Sequence, residues 1–143
     1  MNPRASWLTL VVALSACGAG ESTADAGFVA NCSKSQAIQT VTSQSGAYTL
    51  YVCDAATPVV GFNNFTYLVM DQSGTPQDGL SLSIQPWMPY MNHGSPGTPT
   101  VTSSGAGQYQ IANVVFQMAG EWQLRTAISA ATSDSADPQF NID

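Results

Sequence analysis

The feature that most constrains the fold is a two-residue hydrophobic period carried in short runs. Tyr48, Leu50 and Val52 alternate with Thr49, Tyr51 and Cys53, and Phe65, Tyr67 and Val69 with Thr66, Leu68 and Met70. Leu80, Leu82 and Ile84 alternate with Ser81, Ser83 and Gln85, and Trp122, Leu124, Thr126 and Ile128 with Gln123, Arg125 and Ala127. Tyr109 and Ile111 open a run that resumes out of step as Val114, Phe116 and Met118, so a bulge or break is expected at Ala112-Asn113. Phe140 and Ile142 close the set. Successive side chains of a strand point to opposite faces, so each run reads as a strand with one face buried. Turn formers separate the runs at Asp54–Pro58, Asp71–Pro76, Ser104–Gly107 and Ala119-Gly120. No segment after the N-terminal region carries an apolar stripe of helical period. The pattern predicts an all-β fold, an immunoglobulin-like antiparallel β-sandwich of about seven strands.

Composition narrows the partners. A chain of 143 residues suits one domain, and 44% hydrophobic residues suffice for a core. Only 8% of the residues are charged, and the net charge is −6. Arg4, Lys34 and Arg125 are the only Lys or Arg residues. Nucleic acid binding draws on clustered cations that displace counterions, so no nucleic-acid partner is expected. The same scarcity argues against electrostatic attraction to anionic lipid.

The N-terminus reads as an export signal. Met1 to Arg4 is a short positive region, and Trp7 to Leu14 is an apolar run too short to span a bilayer. The run ends in Leu14-Ser15-Ala16-Cys17, which resembles the lipobox of bacterial lipoproteins. That resemblance implies cleavage before Cys17 and acylation of Cys17, giving a membrane partner through a lipid anchor. The competing reading is an ordinary secretory signal with a chance cysteine. Gly18, in place of Asp, implies by the same resemblance an outer-membrane address facing the periplasm. Residues 1–16 are thus expected as a signal peptide, 17–34 as a lipidated cysteine and flexible tether, and 35–143 as the domain. Three cysteines are odd for an exported protein. With Cys17 lipidated, Cys32 and Cys53 remain as a pair that an oxidising compartment would join. A thiolate metal site using both is the other reading, against which stands the lack of C-x-x-C spacing.

One stretch concentrates groups capable of chemistry: Pro86-Trp87-Met88-Pro89-Tyr90-Met91-Asn92-His93-Gly94, with two methionines and the sole histidine. Pro89 lacks an N–H, so the strand from Leu80 should end there or run along an edge. Met88 to Met91 then fits a β-turn with proline second, which brings Met88 and Met91 together, and Gly94 would let the chain turn away at positive φ. Two thioethers and an imidazole suit Cu(I), whereas Ca²⁺ and Mg²⁺ take oxygen ligands. Met118, before the Ala119-Gly120 turn, is a further ligand candidate. The bland reading stands beside it: methionines fill cores, and Met118 continues the alternation of Val114 and Phe116.

Gly61-Phe62-Asn63-Asn64-Phe65, Asp71–Pro76, Met88–Gly94, Gly107-Gln108-Tyr109 and Phe116–Trp122 stand in the order seen in the YtkA-like/FixH-like family, which the chain resembles from about Tyr48 to Asp143. The M-P-x-M-x-H-G element is the most specific part. The resemblance implies an extracytoplasmic protein, in a family some of whose members occur in copper handling or cytochrome oxidase assembly. Carried over by position, it implies metal ligation by Met88, Met91, His93 and Met118. FixH itself has a transmembrane anchor, whereas this chain has only the lipoprotein-like signal.

No enzyme is expected. A catalytic triad needs a base oriented by a carboxylate, and His93 has no Asp or Glu near it in sequence. The expected function is copper binding by an envelope-anchored lipoprotein, with Cu(I) chaperoned or buffered and passed to a copper-receiving or other envelope protein. The alternative is a metal-free structural, protein- or carbohydrate-interaction module of the envelope, with Trp87, Tyr90 and Trp122 as groove candidates.

Overall fold

The computed structural model describes residues 27–143. The expected signal peptide over 1–16, the lipidation site Cys17 and the tether up to residue 26 lie outside the described residues. The strands are β1 (Gln39–Thr42), β2 (Tyr48–Cys53), β3 (Gly61–Asp71), β4 (Ser81–Met88) and β5 (His93–Gly94), followed by β6 (Thr100–Gly105), β7 (Gln108–Phe116), β8 (Gly120–Ser129), β9 (Ser133–Ala136) and β10 (Gln139–Ile142). They form two antiparallel sheets. One runs β1-β2-β3-β7-β6; in the other, β10-β8-β4-β5, β9 pairs with the second half of β8. No helix among the described residues is long and apolar enough to cross a membrane.

The alternation in the sequence is the alternation of burial. Leu50 and Val52, Phe65, Tyr67 and Val69, and Tyr109, Ile111, Val114 and Phe116 bury one sheet's inner face. Leu82, Ile84 and Met88, Trp122, Leu124 and Ile128, and Phe140 and Ile142 bury the other's. Phe65, Phe116 and Phe140 join the two layers, with ring centroids 5.1–6.3 Å apart. The expected bulge is present: Asn63 pairs with Val114 and Phe65 with Ile111, so Ala112 and Asn113 both face Asn64. Asn113 takes φ 61°, a left-handed conformation that asparagine adopts more readily than most residues, and Asn64 Oδ1 accepts its N–H at 3.3 Å.

The ten strands among the described residues exceed the expected seven or so. The additions, β1, β5, β6 and β9, lie along sheet edges or beside half of β8, and carry few apolar side chains. Pro86 is tolerated within β4 because its backbone faces β5, only two residues long, and its carbonyl accepts Ser95 N–H at 3.1 Å. As expected, β4 stops at Met88, before Pro89.

The segment expected as the end of a tether, residues 27–34, is instead packed on the outer face of the first sheet. Thr66 Oγ1 donates to Val29 O at 3.0 Å. Gln108 grips the Cys32 peptide on both sides, accepting its N–H at 3.0 Å and donating to its carbonyl at 2.8 Å. A disulfide joins Cys32 to Cys53, with Cα atoms 5.7 Å apart. Cys32, Cys53 and Leu68 form a second small core with Val29, Tyr51 and Met70 at its margin. The outer face of β3 is apolar at Leu68 and Met70, and this segment is what shields it from water.

Candidate functional site

The hairpin of β4 and β5 and the turn between β7 and β8 meet at one end of the sandwich. Register places them there: Trp87 of β4 pairs with Gln123 of β8, three residues after Gly120. Together they line an open cleft of about 580 Å³ with Met88, Pro89, Tyr90, Met91, Met118, Ala119, Gly120 and Glu121. The structure therefore brings Met88, Met91 and Met118 into one cleft. Met88 forms its floor, 3% exposed, while Met91 at 54% and Met118 at 43% stand at its mouth. Gly120 takes φ 130°, which L side chains rarely adopt, and a Cβ there would come within 3.2 Å of the Met88 methyl.

His93 is nearby but does not line the cleft. It pairs with Met88 across the hairpin, and its ring meets Trp122 edge-on at 6.0 Å. Its Nδ1 lies 3.1 Å from the Gly94 carbonyl, and the tautomer with the proton on Nδ1 donates to it and leaves the Nε2 lone pair for a ligand.

Two local expectations are corrected. The turn hydrogen bond runs from Asn92 N–H to Pro89 O at 3.2 Å, so the turn is Pro89–Asn92, one residue later than Met88–Met91. The residue at positive φ is Asn92 at 51°, not Gly94. Space at Gly94 is tight: a Cβ there would lie 3.3 Å from both the Pro86 carbonyl and the Trp87 ring. Met118 also departs from the bland reading, because β7 ends at Phe116 and Met118 stands in the turn beyond it.

Trp122 ties the two turns together. It is fully buried, packs on Phe116 at 5.4 Å and donates its indole N–H to Met118 O at 2.9 Å. The groove suggested by Trp87, Tyr90 and Trp122 does not form. Trp122 is in the core, and the Trp87 ring is covered by the Arg125 guanidinium at 4.2 Å. Tyr90, 92% exposed, is alone of the three at the cleft.

Glu121 is the lining residue that sequence reasoning missed; its place directly after the Ala119-Gly120 turn was the available signal. Among the described residues no three His, Cys, Asp or Glu side chains gather in a metal-binding group. The side chains that line the cleft instead include three thioethers, ligands of a kind suited to a soft ion and unsuited to Ca²⁺ or Mg²⁺.

Fold and site together define an antiparallel β-sandwich module with a methionine-lined cleft at one end. The chain belongs to the YtkA-like family, whose model matches residues 40–127. The match spans β1 to most of β8; β9 and β10 lie beyond it but complete the pairing of β8. No curated protein and no solved structure matches the chain.

Proposed function

We propose that the protein is an envelope lipoprotein, anchored through Cys17, whose sandwich binds Cu(I) at the methionine cleft for chaperoning or buffering. It is a binding protein, not an enzyme, and it hands its ion to another envelope protein. The observation that carries this reading is the meeting of Met88, Met91 and Met118 from two separate turns. Thioethers are the soft ligands that persist where thiols are oxidised, and Cys32 and Cys53 are consumed by their disulfide. Met91 and Met118 are the accessible donors, Met88 supplies a third from the floor, and His93, on the adjoining strand, is the fourth ligand in this reading. With no cysteine ligand, the site departs from a blue-copper centre, which favours carriage of the ion over redox chemistry.

Anaerobic competition for Cu(I) against a chromogenic chelator tests this on the full chain. The wild type should withdraw copper, and Met91→Leu/Met118→Leu should withdraw much less. Both residues are exposed, so the variant should keep the wild-type denaturation midpoint. A wild type that fails to compete, or a double variant that competes equally, removes copper from the reading. The metal-free alternative, an interaction module, then rests on exposed Tyr90 at the mouth of the cleft.

A further inference from the structure

The large apolar side chains exposed among the described residues are Ile38, Val59, Val60, Phe62, Tyr90, Met91 and Met118. Strand register and the loops put Val59, Val60, Phe62, Tyr90, Met91 and Met118 at one end of the sandwich, with Ile38 further in along the sheet edge. Ile38 N–H bonds Val52 O, one residue short of the end of β2. Val59 and Val60 lie in the loop from β2 to β3, and Phe62, 77% exposed, is the second residue of β3. Gly61 pairs with Phe116, the last residue of β7, so the turn holding Met118 is adjacent. Tyr90 and Met91 cap the hairpin beside it. The turns at the other end are polar: Gln44-Ser45-Gly46, Gln72–Gly79 and Gly105–Gly107.

The path of the N-terminal segment selects what this apolar end meets. Cys32 lies level with Gln108, Val29 with Thr66, and Gly27 against Asn64. Traced backwards as far as Gly27, the chain thus runs along β3 toward Phe62 and the apolar end. Residues 18–26 separate Gly27 from Cys17, a span of at most about 35 Å.

We propose that this end, with Val59, Val60, Phe62, Tyr90 and Met91, rests in the interface of the lipid bilayer that holds Cys17. The proposal rests on the anchoring reading above and adds the orientation. Among the described residues, neither Lys nor Arg stands in these loops: Lys34 lies over Tyr51 and Arg125 over Trp87. Contact is therefore by insertion of apolar side chains, and a neutral phosphatidylcholine surface suffices. The methionine cleft then opens at the membrane surface.

The test uses the full chain, purified in its anchored form and placed in phosphatidylcholine nanodiscs containing doxyl-labelled lipid. Amide signals of Val60, Phe62 and Met91 should lose intensity, while those of Ser45, Gly74 and Gly105 hold. Val59→Ser/Val60→Ser/Phe62→Ser should restore the first group, with the spectrum of the core unchanged. Anionic lipid should add nothing. Intact mass separates the two readings: a chain without acyl mass on Cys17 defeats the anchor. An acylated chain whose two ends broaden alike, or whose apolar end pairs with a second copy instead, defeats the orientation and leaves the anchor standing.

Discussion

The two ends of the sandwich are built differently. The polar end satisfies its turns with side-chain oxygens. Asp71 Oδ1 accepts the N–H groups of Ser73 and Thr75, both at 2.9 Å, and its Oδ2 accepts from Gln77 Nε2 at 2.9 Å. Asp134 accepts from Ser45 of the opposite sheet, and Gln44 N–H bonds Ser135 O at 2.8 Å. At the apolar end Asn63 holds the loop at Val59 and Gly61 in the same way, and packing is added, with Trp122 wedged between Phe116, His93 and the Met118 carbonyl. Polar turns content with water need nothing else, whereas loops that leave Phe62 and Tyr90 in solvent retain an unspent hydrophobic driving force. The exposed apolar surface of these loops therefore lies at one end.

Trp122→Ala should break the contrast most severely. It removes the largest fully buried side chain and leaves a cavity, at a cost of about 3–5 kcal/mol read from the urea midpoint. Trp122→Phe keeps a ring but orphans the Met118 carbonyl, and should cost about 1–2 kcal/mol. Amide exchange should then quicken in residues 117–120 and stay slow around Asp71. Equal quickening at both ends would show that the core, and not the apolar end, depends on Trp122.

Next in size is the disulfide. Cys32→Ser/Cys53→Ser should destabilise by about 3 kcal/mol, the chain-entropy value for residues 21 apart in sequence. It sharpens the comparison because the disulfide pins the segment that leads toward the apolar end. Limited proteolysis should cut the variant between residues 27 and 37 and spare the sandwich. Resistance there would mean that Gln108 and Thr66 hold the segment unaided.

The legible part of the fold was the part that buries side chains. β2, β3, β4, β7, β8 and β10 announce themselves by alternation because each gives one face to the core. β1 (QTVT), β6 (TVTSSG) and β9 (SDSA) are strands because a neighbour offers backbone hydrogen bonds, which single-sequence periodicity does not register. The bulge was legible as a change of phase, since an extra residue flips every later side chain. At the site, the expected Met88–Met91 turn lay one residue early, yet Met88 and Met91 do line the same cleft. The arrival of Met118 depends on the pairing of β4 with β8, a long-range choice. The role of Gly94 was misread because close packing and positive φ both select glycine, and only the fold distinguishes them.

The smallest effect belongs to the polar end and depends on acid. Burial pushes the Asp134 carboxyl up, but hydrogen bonds from Ser43, Ser45 and Ser135 together outweigh it and hold the group at about 2. An unfolded aspartate titrates near about 3.9, so the folded value is depressed. The stability this contributes is complete above about pH 4 and is lost as pH falls through about 2. Asp134 is nearly exposed, and solvent screening keeps the contribution small. Asp134→Asn should thus lower the thermal midpoint slightly at pH 7, and the two proteins should converge as pH falls from about 4 to about 2. A gap that stays constant across that range would mean the asparagine fails by shape and not by charge. Copper competition and lipid broadening should be unaffected at pH 7, because Asp134 lies at the end of the sandwich away from the methionine cleft.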